Sequence, residues 1–231
     1  QGQFTINLPE GLGIPIISNE KFNIASQVLN HNFPEIDLGV RHRIFIDFIR
    51  DKNLEKPLKP VFPAVGFVMA LVDGKTGIFN VENPNEDQKH ATCLPGLHAK
   101  SAFSSSLYTD TLGQKFTGHW VVKPGKEERH TRVTDWLSIP YDTTLHYIAL
   151  HVHPFAEAME LKDLTAGETI FQSKMTGPKK GIGIETVKYF TSEKGIPMYT
   201  DHEYELVSIY NNTSGVDQDA MATMFLYLAD K

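Results

Sequence analysis

The sequence has little cysteine, no long apolar run and no excess of basic residues, and each absence excludes a class of protein. Cys93 is its single cysteine, which excludes an intrachain disulfide framework and a cysteine-rich zinc or iron–sulfur site within one chain. The longest apolar stretch, Ala64–Val72, is far shorter than the roughly 20 residues that span a hydrocarbon core. The 28 acidic and 22 basic residues give a formal charge of -6, which disfavours nucleic-acid phosphates and anionic membranes. We therefore expect no nucleic-acid partner and no membrane span.

The motifs of several large enzyme classes are also absent. The chain has no G-x-S-x-G nucleophile elbow, no Walker A loop, no G-x-G-x-x-G fingerprint and no H-E-x-x-H zinc helix. What it has is histidine, with 10 residues spread along the chain, and histidine is the commonest transition-metal ligand. The first residue is Gln1 and not methionine, which fits a removed leader and an exported, periplasmic or secreted protein. These features favour a metal-binding protein over a hydrolase or a nucleotide-dependent enzyme.

Alternation of apolar and polar residues predicts a mostly β protein. Period-2 runs recur between clusters of Gly, Pro, Asn and Asp, so we predict one domain over residues 1–231, an all-β, antiparallel, jelly-roll-like β-sandwich. Leu38–Ile49 alternates well enough to predict a half-buried strand, and Asp163–Gly167 predicts a hairpin turn. Further strands are predicted at Ala64–Asp73, Gly118–Lys123, His130–Leu137, Thr144–His153, Glu157–Leu161, Glu168–Ser173, Ile184–Phe190, Glu203–Tyr210 and Ala220–Leu228.

Two segments depart from the alternating pattern. Phe22–Asn30 predicts a short helix near the start of the chain. Asp73–Thr117 is rich in Gly, Ser, Asn and Pro and has weak periodicity. Because long irregular segments are uncommon in compact domains, we predict that residues 73–117 form a loop insertion or lid within the domain.

The run His151-Val152-His153 is the strongest candidate for a metal site. On a strand, side chains alternate between the two faces, so His151 and His153 share one face and can chelate one ion, although two ordinary surface histidines would give the same pattern. His146 falls on the opposite, apolar face, which predicts a buried imidazole held by a hydrogen bond. A useful site needs three or four donors, and Met221, on the C-terminal strand, is a candidate third ligand or a core methionine.

The order of these residues resembles a known family. His151-x-His153 follows an aromatic–aliphatic strand, and a later strand enters through Asp219-Ala220-Met221 and continues as Met224–Leu228. This arrangement resembles the C-terminal domain of the copper type II, ascorbate-dependent monooxygenases, the family of peptidylglycine alpha-hydroxylating monooxygenase and dopamine beta-monooxygenase. The upstream Val121–Lys126 is similar to the strand and Pro-Gly turn that precede the family's H-x-H strand. The likeness covers about residues 37–228, with residues 73–117 as additional sequence.

The resemblance implies a copper ion held by His151, His153 and Met221. A thioether favours Cu(I), while imidazoles suit both Cu(I) and Cu(II), so this donor set tolerates redox cycling and leaves a position for water or oxygen. The family's enzymes use a second copper bound by an N-terminal domain, whereas this sequence has no His-His pair. The family's peptide-anchoring Arg, Asn and Tyr are replaced here by Ala149, Thr223 and Phe225.

Three functions are consistent with these features. The first is an exported mononuclear copper-binding protein that carries or buffers copper, or transfers electrons to a redox partner protein. The second is a copper- and oxygen-dependent monooxygenase, an oxidoreductase with an external reductant and a partner that supplies the second copper. The third is a structural or carbohydrate-facing sandwich whose histidines are incidental. The missing second copper cluster favours the first.

The remaining histidines leave further possibilities open. The insertion contains His90-x-x-Cys93, with His98 nearby, and could give a blue-copper type site if it folds over the H-x-H strand. It could also be a plain loop, or a site of dimerisation through Cys93. His202, between Asp201 and Glu203, predicts a surface ion pair. The sequence assigns no role to His119 and His130, which flank the next two strands.

Overall fold

The computed structural model describes residues 5–22, 24, 30, 32–33, 35–72 and 107–231, and almost all of the regular structure there is β. One short α-helix, α1, spans Thr134–Leu137, and a 3₁₀ turn spans Asp51–Asn53. The strands are β1 Leu12–Gly13, β2 Lys59–Phe67, β3 Ala70–Leu71, β4 Leu107–Thr109, β5 Lys115–Thr117, β6 Trp120–Val122, β7 Gly125–Arg132, β8 Thr143–Val152, β9 Ala156–Asp163, β10 Glu168–Thr176, β11 Thr186–Val187, β12 Phe190–Met198, β13 Tyr204–Asn212, β14 Gln218–Ala220 and β15 Ala222–Ala229.

Two five-stranded sheets form the body of the fold. One has the order β1-β2-β15-β8-β12 and the other β11-β10-β9-β13-β7. Their pairs are antiparallel except β1 with β2. The strands of eight residues or more, β2, β7 to β10, β12, β13 and β15, give the jelly-roll order of two four-stranded sheets. The predicted all-β, jelly-roll-like sandwich is therefore confirmed.

The hydrophobic core lies between the two sheets. Along β8 and β15, alternate residues such as Leu150 and Met224 are buried and pack in one cluster with Leu206 and Tyr210 of β13. The sheets are in close contact at Gly66, where a Cβ atom would lie 2.8 Å from Cδ1 of Leu206. A glycine at this position lets β2 pack directly against the opposite sheet.

A small ribbon, β6 paired with β14, joins the end of the first sheet. Trp120, Val122 and Ala220 belong to the core cluster, so the ribbon buries one of its faces in the sandwich. Because side chains alternate along a strand, Asp219 and its cross-strand partner Val121 project from the other face. A second small sheet has the order β3-β5-β4.

The predicted strand Leu38–Ile49 is wrong. Residues 37–50 have no regular secondary structure, and their side chains are exposed, with Phe45 82% and Phe48 77% exposed. Alternation reports which side chains could share a face, whereas a strand also needs a partner for its backbone hydrogen bonds.

The chain between β7 and β13 also differs from the prediction. The expected strand His130–Leu137 stops at Arg132, and α1 follows, because a helical turn buries both Val133 and Leu137, four residues apart. The expected strand Ile184–Phe190 contains only the two-residue β11 and the first residue of β12, Phe190. The long β12 was not predicted, since Gly195 and Pro197 interrupt its alternation and its pairing with β8 shifts register there.

Other expectations are confirmed or lie outside the described residues. The Asp163–Gly167 hairpin is confirmed: Asp163 pairs with Glu168, and Gly167 has a φ of 71°, which favours glycine. Residues 73–106 of the predicted insertion, with His90, Cys93 and His98, lie outside the described residues, whereas 107–117 form β4 and β5. Most of the predicted helix Phe22–Asn30 also lies outside them, and the single-domain boundary stays a prediction.

In the part of the chain that the structure describes, no helix is long and apolar enough to cross a membrane.

Candidate metal centre

Two histidines stand together where β8 ends. His151 lies in β8, directly opposite Thr223 of β15, and His153 follows the strand. Val152, between them, packs into the core, so the two imidazoles lie on the outer face of the first sheet. Their ring centroids are 5.4 Å apart.

The backbone of His153 is fixed by two neighbours. Its N–H donates to the carbonyl oxygen of Met221 at 3.1 Å and to the hydroxyl of Tyr210 at 3.2 Å. Tyr210 in turn donates its hydroxyl proton to the same Met221 carbonyl at 2.6 Å. Tyr210 belongs to β13 of the second sheet and is 1% exposed, so the core of the sandwich holds the start of the site in place.

The β6–β14 ribbon adds a carboxylate and a third imidazole. Asp219 lies in β14 and His119 immediately precedes β6. Oδ2 of Asp219 is 2.9 Å from Nδ1 of His153, and its Oδ1 contacts Nε2 of His119. The rings of His119 and His153 have centroids 5.7 Å apart. One ligand atom from each of these three residues lies within 4.8 Å of the others.

The cluster is mostly buried, and its charge is set by burial together with hydrogen bonds. His153 is 2% exposed, and the Asp219 side chain is 19% exposed. Burial opposes ionisation of Asp219, yet hydrogen bonds with His119 and His153 hold the pKa of this carboxyl well below its usual range. Burial, with a smaller contribution from the nearby His153, lowers the pKa of His151 to about 3. At neutral pH the centre therefore contains an ionised Asp219 and a neutral His151.

The carboxylate selects the tautomer of its neighbour. An ionised Asp219 can only accept hydrogen bonds, so the proton of a neutral His153 lies on Nδ1 and its Nε2 keeps a free lone pair. The Nε2 atoms of His151 and His153 are buried and have no hydrogen-bond partner among the described residues. A buried, unpaired polar atom costs free energy, which a bound metal ion would remove. A carboxylate behind an imidazole is also the arrangement that orients metal-bound histidines.

The donor set fits a transition metal. Imidazole suits zinc, copper, iron and nickel, and a carboxylate adds a negative charge that favours a divalent ion. Met221, the third ligand that the resemblance implies, lies between β14 and β15 and is 2% exposed. The contacts described above involve its carbonyl oxygen. Residues His119, His153 and Asp219 can therefore hold one ion. His151 lies beside His153, and Met221 is two residues after Asp219 in the chain.

The sequence analysis did not assign His119 or Asp219 to the site. A signal was present for the carboxylate: Asp219 and Met221 are two residues apart, so strand periodicity places both on one face. Similarly, His119 precedes Trp120, which is a core residue, so strand periodicity places the side chain of His119 on the face opposite to the core. The pairing of β6 with β14, which brings these residues to the H-x-H strand, has no signature in the sequence.

Three histidines outside this cluster, His130, His146 and His202, have other partners. His146 is buried and bonded as expected, with Nδ1 2.8 Å from the carbonyl oxygen of Ser192 and Nε2 2.7 Å from Oγ1 of Thr144. His202 forms an ion pair, though its partner is Asp163, 2.6 Å away, and not a sequence neighbour. The exposed His130 contacts Glu128 and Glu205.

Comparisons with protein-family models, with curated proteins and with solved structures found no match to this chain.

Proposed function

We propose that this chain is a metal-binding protein that holds one copper ion at the outer face of its first sheet. His151 and His153 would bind the ion through Nε2. Asp219 would orient His153, and His119 would be a further ligand of the ion. The observation that carries the proposal is the pair of buried Nε2 atoms that have no hydrogen-bond partner in the described part of the chain and lie beside an ionised carboxylate.

Copper is proposed on the chemistry of the donors. Among divalent first-row metals, sites of nitrogen and oxygen ligands bind Cu(II) most tightly. The soft thioether of Met221, the ligand that the family resemblance adds, would favour Cu(I). A site with both kinds of donor would retain copper through a change of oxidation state.

We infer copper carriage, buffering or electron transfer in an exported protein as the biological role. The two-copper chemistry that the resemblance suggests requires a second ion, and the sequence has no His-His pair for it. A monooxygenase that receives its second copper from a partner protein is the alternative. It predicts oxygen consumption with ascorbate and a hydroxylated product, whereas a carrier cycles between oxidation states without consuming oxygen.

Metal analysis and electron paramagnetic resonance of the protein with one equivalent of Cu(II) test the proposal. We expect a stoichiometric type 2 signal, and we expect the double variant His151→Ala/His153→Ala to bind copper at least about 100-fold more weakly, since it loses two ligands. His130→Ala is the matched control, because His130 is exposed and lies in β7 of the other sheet. Equal copper affinity in the double variant and the wild type would refute the site.

The variant Met221→Leu tests the thioether separately. Leucine retains an apolar side chain of similar volume, so the fold is preserved. We expect weaker Cu(I) binding with little change in Cu(II) binding if the sulfur is a ligand. Unchanged Cu(I) affinity would restrict the role of Met221 to its carbonyl oxygen.

A further inference from the structure

A third buried polar side chain without a partner stands next to the two imidazoles. Thr223 lies in β15 and is 2% exposed. Its Oγ1 atom is buried and forms no hydrogen bond within the described part of the chain. A buried hydroxyl without a partner is unfavourable, and native proteins satisfy nearly all such groups. The hydroxyl therefore indicates a ligand or an ordered water at this position.

The sheet register places this hydroxyl beside the proposed metal ligand. Thr223 and His151 are direct cross-strand partners in an antiparallel pair. Such partners project from the same face, with Cβ atoms about 4.5–5.5 Å apart. On its other side Thr223 is opposite Phe67, whose side chain has no polar group. The polar contact that Thr223 lacks is therefore to be sought on the side of His151.

Charge indicates what the ligand is. An imidazole must be unprotonated to bind a metal ion, so a divalent ion held by imidazoles beside the single carboxylate of Asp219 keeps an excess of positive charge. A small anion at an open coordination position would balance this charge. The hydroxyl of Thr223 can donate one hydrogen bond to such an anion, which strengthens the interaction because the acceptor is charged.

We propose that Thr223 and His151 form a subsite for a small anionic ligand of the metal, such as hydroxide or azide, with the Thr223 hydroxyl as hydrogen-bond donor. This inference rests on the proposed function. Thr223 is a positioning residue for the ligand and does not hold the ion itself. The subsite would select ligands that accept a hydrogen bond at the atom bound to the metal.

Azide titration of the Cu(II)-loaded protein tests the subsite. The azide-to-copper charge-transfer band reports affinity, and electron paramagnetic resonance reports the copper environment. We expect Thr223→Val, which replaces the hydroxyl with a methyl group, to bind azide about tenfold more weakly, because a hydrogen bond to a charged group is lost. Thr223→Ser retains the hydroxyl and should keep nearly the wild-type azide affinity. Copper affinity should be the same in all three proteins.

Ser208→Ala is the matched control. Ser208 Oγ is also buried and without a hydrogen-bond partner among the described residues, but it lies in β13 of the second sheet. Its removal should leave azide affinity unchanged. Thr223→Ala, which also lacks the hydroxyl, repeats the test if the valine variant folds poorly.

The stability of the metal-free protein separates a ligand role from a structural one. If Thr223 serves the ligand, Thr223→Val removes an unsatisfied hydroxyl and the metal-free protein melts at the same or a higher temperature than the wild type. A lower melting temperature with unchanged azide affinity would overturn the subsite. If the wild type and Thr223→Val both bind copper normally and bind azide equally well, the subsite is overturned and the proposed function is not. If the protein binds no copper, the proposed function is overturned as well.

Discussion

At Asp219 a single carboxylate contacts two imidazoles, Nδ1 of His153 and Nε2 of His119. These contacts fix the orientation of both rings and the tautomer of His153. They also supply the negative charge of the centre, since the pKa of Asp219 is held far below its usual range despite burial. The carboxylate is thus the residue whose loss would disturb the site most without removing an imidazole.

The variant Asp219→Asn tests this role. Asparagine keeps the shape of the side chain but loses the charge and can no longer accept hydrogen bonds at both terminal atoms. We expect copper affinity to fall about 10- to 100-fold, as measured by competition with a chelator of known affinity. Asp217→Asn, two residues earlier and exposed, should have no effect. Equal losses in the two variants would indicate a general effect of net charge.

At the scale of elements, an ion pair connects the β9–β10 hairpin to the start of β13. Asp163, the last residue of β9, accepts hydrogen bonds from His202 Nδ1 at 2.6 Å and from the backbone N–H of Ala166 at 2.9 Å. Asp163 raises the pKa of His202. Although burial opposes ionisation, the hydrogen bond from His202 lowers the pKa of Asp163. The charged pair therefore favours the folded state.

This pair predicts a pH dependence of stability. The raised pKa of His202 contributes stability that is complete below its ordinary value of 6.5 and is lost as the pH rises through the raised value. The lowered pKa of Asp163 contributes stability above its ordinary value of 3.8 that is lost as the pH falls through the lowered value. We expect the free energy of unfolding, measured with urea, to fall between about pH 5.5 and about pH 9. This fall should be larger in the wild type than in His202→Gln. His42 is an exposed histidine in residues 37–50, outside the regular structure, and His42→Gln should behave as the wild type.

At the scale of the whole molecule, the close approach of the two sheets decides how tightly the sandwich packs. Gly66 of the first sheet faces Leu206 of the second, which is completely buried. Tyr210, in the same strand as Leu206, bonds to the Met221 carbonyl and to the N–H of His153. The position of the metal centre therefore depends on the packing between the sheets.

The variant Gly66→Ala tests this packing. Its Cβ atom would lie 2.8 Å from Leu206 Cδ1, so the sheets or the leucine must shift. We expect the free energy of unfolding to fall by about 1–3 kcal/mol, measured by chemical denaturation. Gly177→Ala is the control, because the contact nearest to its Cβ atom is ordinary, at 3.6 Å from a carbonyl oxygen. A neutral Gly66→Ala would mean that the core adapts to the added methyl group.

Prediction from the sequence succeeded where the pattern was local. The strand Thr144–His153 was placed to within one residue of β8, because its aromatic and aliphatic residues form one uninterrupted run. Prediction failed at Leu38–Ile49, which pairs with no strand among the residues that the structure describes. It also failed at β12, where Gly195 and Pro197 interrupt the alternation. The shared face of His151 and His153 follows from strand periodicity alone.

The sequence by itself determined the β class, the hairpin at Asp163–Gly167 and the adjacent imidazoles, because each depends on residues that are close in the chain. The tertiary structure alone decided that His119 and Asp219 join them. These residues are about 100 positions apart in the chain, and they meet because β14 pairs with β6. Pairing between distant strands depends on the whole set of backbone hydrogen bonds and on the core, which no local pattern of residues records.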